Sequence, residues 1–193
     1  MKKITYFTLI ISAACLMQAY SRPMDSKTIT ESVNAAKADI AKNNSSMVVV
    51  DKDDAKFVLA AANGGMAEVI LGKLAKEKAV NAKVKDFGAM MVKDHSKANN
   101  ELKALAKSKG ITLPDAIDKE EQKVKDELSA KSGADFDKAY VKNMIDDHKA
   151  DIKEFEKAIK NLKDMDLKAF AVKALPMLKM HLETIQKIQD GMK

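Results

Sequence analysis

Each of the three histidines in this chain has a methionine four residues before it: Met91 and His95, Met144 and His148, Met177 and His181. Helical positions i and i+4 share a face, one turn apart. A thioether and an imidazole stacked this way can converge on one metal ion, and three such pairs on three helices could surround it. The chain holds 12 methionines in 193 residues, so this spacing before all three histidines is uncommon by chance. The residues three before each histidine are Val92, Ile145 and Leu178. A ferritin-type di-iron centre needs Glu-x-x-His on two helices, so a redox metalloenzyme of that kind is disfavoured.

Helices must position these residues. Helical 3-4 spacing of apolar residues predicts four long helices. They run from about Asp54 to Lys78, Asn81 to Lys109, Asp135 to Asn161 and Asp166 to Gln189. Gly64-Gly65 could break the first, and Pro176 should kink the last. Gly110 and Pro114 end the second helix. The charged stretch Asp118 to Lys131, with only Val124 and Leu128 on its apolar face, predicts a short helix inside a long crossover. Two short connections and one long crossover describe an all-α, ferritin-like four-helix bundle. FGAMMVKDH at Phe87 to His95 resembles YVKNMIDDH at Tyr140 to His148, which suggests two related halves, each a helical hairpin.

On the predicted core stripes lie four ionisable residues: Glu68, His95, His148 and His181. Each falls roughly 13 to 15 residues into its helix, hence near mid-height whichever way the helix runs. A buried glutamate must be paired or bound to a cation. The four residues are therefore candidate ligands for zinc, copper or iron. Met91, Met144 and Met177 flank them; Met91 faces inward most clearly and the other two lie to the side of the stripe. Asp94 and Asp147, about 100° round their helices from the neighbouring histidines, would act as ion-pair partners behind the ligands. The alternative is a purely hydrogen-bonded polar layer that fixes helix register, with methionine as core filler.

Composition narrows the function further. The net charge of +6 is almost all lysine, and Arg22 is the single arginine. A lysine-rich chain without clustered aromatics argues against nucleic acid. No nucleophile elbow, phosphate loop or zinc-finger cysteine spacing is present, so an enzyme is less expected than a binding or structural protein. Lys2 and Lys3, the apolar run Ile4 to Met17, and Ala19 and Ser21 read as an export signal cleaved after Ser21. Residues 22–53 then form a polar tether. Ile29, Val33, Ala36 and Ile40 there have helical spacing, which Asn43-Asn44-Ser45-Ser46 would end. Cys15, the only cysteine, would leave with the signal, and acylation at Cys15 is the less favoured alternative. The mature protein is then expected in the periplasm or cell envelope, with no transmembrane helix. It could associate with the envelope or a membrane surface, and the oligomeric state is left open.

The stretches FVLAAANGGMAEVILGKLA at Phe57 to Ala75, MVKDHSKANNEL at Met91 to Leu102, ITLP at Ile111 to Pro114, FDKAYVKNMIDDH at Phe136 to His148 and LPMLKMHL at Leu175 to Leu182 together resemble the bacterial domain-of-unknown-function family 4142. The resemblance runs from about Asp54 to Ile188. It implies a ferritin-like bundle in an exported outer-membrane or periplasmic protein, and it supplies no activity. The family's motif glutamate and histidines map onto Glu68, His95, His148 and His181. Some relatives carry a lipid-attachment cysteine just before the linker, where this chain has Tyr20 and Ser21.

Overall fold

A computed structural model describes Glu31, Asn34 and residues 50–192. The expected export signal, Cys15 and nearly all of the expected tether lie outside the described residues. A boundary after Met47 separates the preceding segment from the unit Val48–Lys193. Within that unit the helices are α1 (Lys52–Lys78), α2 (Ala82–Ser108), α3 (Lys119–Ser129), α4 (Gly133–Asn161) and α5 (Met165–Asp190). Their ends fall within about two residues of the sequence expectation. Asp51, Asn81, Asp118 and Asp164 each cap a helix by accepting from a backbone N–H in its first turn, which satisfies donors that no carbonyl can reach.

Two buried aspartates fix how the hairpins join. Asp54, near the start of α1, accepts from the backbone N–H groups of Lys163 and Asp164 in the α4–α5 turn, at 3.1 and 2.7 Å. Asp137, near the start of α4, accepts from Val80 and Asn81 in the α1–α2 turn, at 3.2 and 2.8 Å. The start of α1 therefore lies beside the α4–α5 turn, and the start of α4 beside the α1–α2 turn. It follows that α1 and α5 point one way, and α2 and α4 the other. The long crossover is what allows α2 and α4 to be parallel. α3 climbs the upper half of α1: Asn63 and Asp118 exchange two 2.8 Å hydrogen bonds at its start, and Lys78 donates to the Ser129 carbonyl at its end.

These bonds set which helices of the two hairpins correspond. The closest packing is within each hairpin, α1 on α2 and α4 on α5, and because Asp54 and Asp137 play the same part at opposite ends, α1 is equivalent to α4 and α2 to α5. The resemblance between Phe87–His95 and Tyr140–His148 instead relates the two parallel helices α2 and α4, which carry equivalent residues at equal height. Phe87 and Tyr140 meet edge to face at 6.4 Å, one layer from the paired histidines.

Helix α1 continues through Gly64-Gly65. Gly65 and Gly72 serve close approach to α2: a Cβ at Gly65 would collide with the Asn99 side chain, and one at Gly72 would sit 2.7 Å from the Gly88 carbonyl oxygen. Helix α5 runs through Pro176. The proline removes a bond to the carbonyl of Val172, and that residue is half exposed. α1 is also the one helix among the described residues long and apolar enough to cross a membrane; here it packs along α2 and carries buried Glu68.

The core is divided. One apolar cluster is built around Phe87, Met91, Phe136, Tyr140, Met144 and Ile185. The other is built around Phe57, Leu102, Phe155, Leu167, Phe170 and Leu178. Glu68, His95, His148 and His181, all at most 3% exposed, belong to neither cluster and form the layer between them.

Candidate metal centre

Each imidazole in this layer has one ring nitrogen tied to an acceptor. His148 Nδ1 donates to the Met144 carbonyl at 3.0 Å, one turn back on α4. His181 Nε2 donates to Asp94 Oδ2 at 3.1 Å. His95 Nδ1 lies 2.6 Å from Glu68 Oε2. A carbonyl oxygen can only accept, so the His148 proton is on Nδ1, and the carboxylates place the others in the same way. When Glu68 is ionised, the inward nitrogens (His95 Nε2, His148 Nε2 and His181 Nδ1) therefore all carry lone pairs.

Those three nitrogens converge. His181 Nδ1 is 3.3 Å from His95 Nε2 and 3.4 Å from His148 Nε2, and the three residues can place one donor atom each within 4.8 Å of one another. Three facing lone pairs without a proton between them repel. A cation at their centre reverses that. Imidazole nitrogens about 2.05 Å from a tetrahedral ion stand about 3.3 Å apart, which matches the two distances from His181 Nδ1.

Electrostatics keep the imidazoles in the ligand-competent form. Burial lowers His95 to about 4. Burial and the two other imidazoles lower His148 to about 3, and burial lowers His181 to about 4. All three are neutral at pH 7. Burial, reinforced by Asp147 and Glu121, pushes the Glu68 carboxyl well above its ordinary range. A protonated Glu68 could donate to His95, which could donate to His181 and so on to Asp94. That chain still leaves His148 Nε2 without a donor. Glu68 Oε1, 3.4 Å from His148 Nε2, has no hydrogen-bond partner among the described residues.

The structure reassigns several of the expected roles. Glu68 holds His95 from behind rather than joining the three-histidine group; it forms a second group with Asp147 and His148. Asp147 thus stands among donor atoms, whereas Asp94 of α2 sits behind His181 of α5. The three methionines do not surround one point. Met144 is fully buried rather than flanking, and with Met91 it packs in one apolar cluster. Met177 packs against the other cluster, because α5 is antiparallel to α2 and α4 and one turn back along it leads the opposite way. Sequence reasoning missed Tyr140, whose buried hydroxyl has no hydrogen-bond partner. It also missed Asp151 and Glu121. The signal for Asp151 was its position four residues after Asp147, on the same face of α4.

The arrangement is that of a four-helix bundle with a three-imidazole layer at mid-height. Over residues 28–188 the chain matches the family described as Domain of unknown function (DUF4142) and belongs to it. No curated protein matches the chain. Among solved structures, a DUF305 fragment from Deinococcus radiodurans is similar, with TM-score 0.64 and 11% identity, covering 72% of this chain and 96% of that one. So are CopM in the Cu(I)-bound form, with TM-score 0.61 and 13% identity, and CopM in the Ag-bound form, with TM-score 0.60 and 14% identity. Both CopM structures cover 72% of this chain and are themselves covered to 96%. These likenesses are of fold.

Proposed function

We propose that this protein is an exported, non-enzymatic envelope protein that holds one copper(I) or zinc(II) ion on His95, His148 and His181. The observation that carries the reading is the convergence of three neutral imidazole lone pairs at 3.3 and 3.4 Å, each ring held by an acceptor on its far nitrogen. Metal-bound histidines are commonly oriented by such partners. A purely hydrogen-bonded layer explains less, since the single proton of a protonated Glu68 serves either His148 Nε2 or, through His95, the facing His95 Nε2 and His181 Nδ1, and leaves the other without a donor.

The ion choice rests on donor chemistry. Neutral imidazoles suit copper and zinc. CopM is described with copper(I) and silver; at that identity the likeness is one of fold, so copper here is argued from this chain's own donors. Export rests on the basic and apolar residues at the N-terminus of the sequence.

The test is calorimetric titration of the purified protein with zinc(II), and with copper(I) under a reducing atmosphere, beside His148→Ala and His181→Ala. One ion per chain, lost or weakened at least a hundredfold in both variants, supports the reading. Binding unaffected by either substitution overturns it.

A further inference from the structure

Outside the three-histidine layer, an open cleft of about 750 Å³ runs between α1, the crossover and α4. Four carboxylates line it: Asp118, Glu121, Asp147 and Asp151. Asp118 is fixed to Asn63 of α1 by the two hydrogen bonds that seat α3. Among the described residues no lysine lines the cleft, although the chain carries an excess of basic residues. A Cβ at Gly64, on the cleft wall, would meet only Asp151 Oδ1 at 3.9 Å, so the wall is low on that side.

The inner end of this cleft reaches the buried layer. Asp147 lines the cleft and also stands with Glu68 and His148, donor atoms within 4.8 Å of one another. Glu68 is 1% exposed, and its Oε1 has no hydrogen-bond partner. A buried, unpartnered carboxylate oxygen beside a second carboxylate and an imidazole lone pair is a cation seat by its donor set. This seat is richer in oxygen than the three-imidazole one.

The two seats share a residue. His148 Nδ1 is occupied by the Met144 carbonyl. Its only free lone pair, on Nε2, lies 3.4 Å from Glu68 Oε1 on one side and 3.4 Å from His181 Nδ1 on the other. One lone pair serves one ion at a time, so the seats are alternatives.

We propose that Glu68, Asp147 and His148 form an outer cation seat that receives the ion from the acidic cleft and passes it to the three-histidine seat through the shared His148 Nε2. The transfer is a ligand exchange. The ion keeps His148 Nε2, releases the Glu68 and Asp147 oxygens, and gains His95 Nε2 and His181 Nδ1. Any proton on Glu68 leaves to water when the ion arrives, and the ion's oxidation state does not change. The inference rests on the metal-binding reading above and names the route to that site.

Stopped-flow absorbance with cobalt(II) on the full chain tests it. Cobalt(II) stands in for zinc, and its visible bands distinguish a crowded oxygen-rich site from a four-coordinate nitrogen site. The wild type should bind one cobalt per chain, with a weakly absorbing species preceding a strongly absorbing one. Asp147→Asn should slow loading about tenfold, with a much smaller change in the equilibrium constant. Two cobalt ions bound at once, or Asp147→Asn loading at the wild-type rate, would overturn the shared-seat route while leaving the inner site standing. No cobalt bound by the wild type would overturn both.

Discussion

Replacing Asp151 by asparagine should stabilise the metal-free protein, and should do so increasingly as pH rises. Asp151 is held from its ordinary 3.8 up to about 9, chiefly by burial and then by Glu68, Asp147, Glu154 and Glu121. In the unfolded chain the carboxyl loses its proton near pH 4, while in the folded chain it keeps it until about pH 9. Between those values the unfolded state binds fewer protons, so stability falls as pH rises through the window. Below it the group has no effect, and above it the full penalty is present. A shift of that size would correspond to several kcal/mol. Asp151 is partly exposed, and solvent screening brings the expected penalty to on the order of 3 kcal/mol. An asparagine amide cannot ionise, so Asp151→Asn should match the wild type near pH 4 and exceed it by roughly that amount at pH 9. Urea unfolding at pH 5, 7 and 9 measures this directly. A variant no more stabilised at pH 9 than at pH 5 would refute the electrostatic reasoning for the whole cleft. A carboxylate that weakens the fold needs some other role, and cation delivery is one.

Other substitutions test the remaining parts. The buried imidazoles, lowered to about 4, 3 and 4, protonate in the unfolded chain near 6.5 and stay neutral in the fold. Their contribution to stability should therefore fall as pH drops from 6.5 towards 4, and nitrogen NMR at pH 5.5 should show three neutral rings; an imidazolium signal would contradict this. Asp137→Ala removes the acceptor of two backbone N–H groups and should cost about 3 kcal/mol in chemical denaturation; a loss under about 1 kcal/mol would show that Asp137 does not hold the hairpins together. Gly72→Ala places a Cβ 2.7 Å from the Gly88 carbonyl oxygen and should cost about 1–3 kcal/mol, read as a lower melting temperature. An unchanged melt would mean that α1 and α2 can separate freely.

Helix positions and the mid-height polar layer were legible because the apolar stripe has a 3.6-residue period and Glu68, His95, His148 and His181 interrupt it. The joining of the hairpins was not legible. It depends on Asp54 and Asp137, whose partners are backbone N–H groups more than 50 residues away. The methionine spacing misled for a geometric reason: i−4 points towards the N-terminus on every helix, and α5 runs opposite to α2 and α4. The distinction between Glu68 behind His95 and Asp147 beside His148 depends on side-chain direction round the helix, which spacing fixes only to a face.

The central claim is that three imidazoles take one ion. X-ray absorption of the zinc-loaded full chain tests it most directly. The claim predicts one zinc per chain, with a nearest shell that includes three nitrogens at about 2.0 Å and the outer scattering of three imidazole rings. A shell of oxygens alone, or fewer than two imidazole rings around the ion, would contradict it.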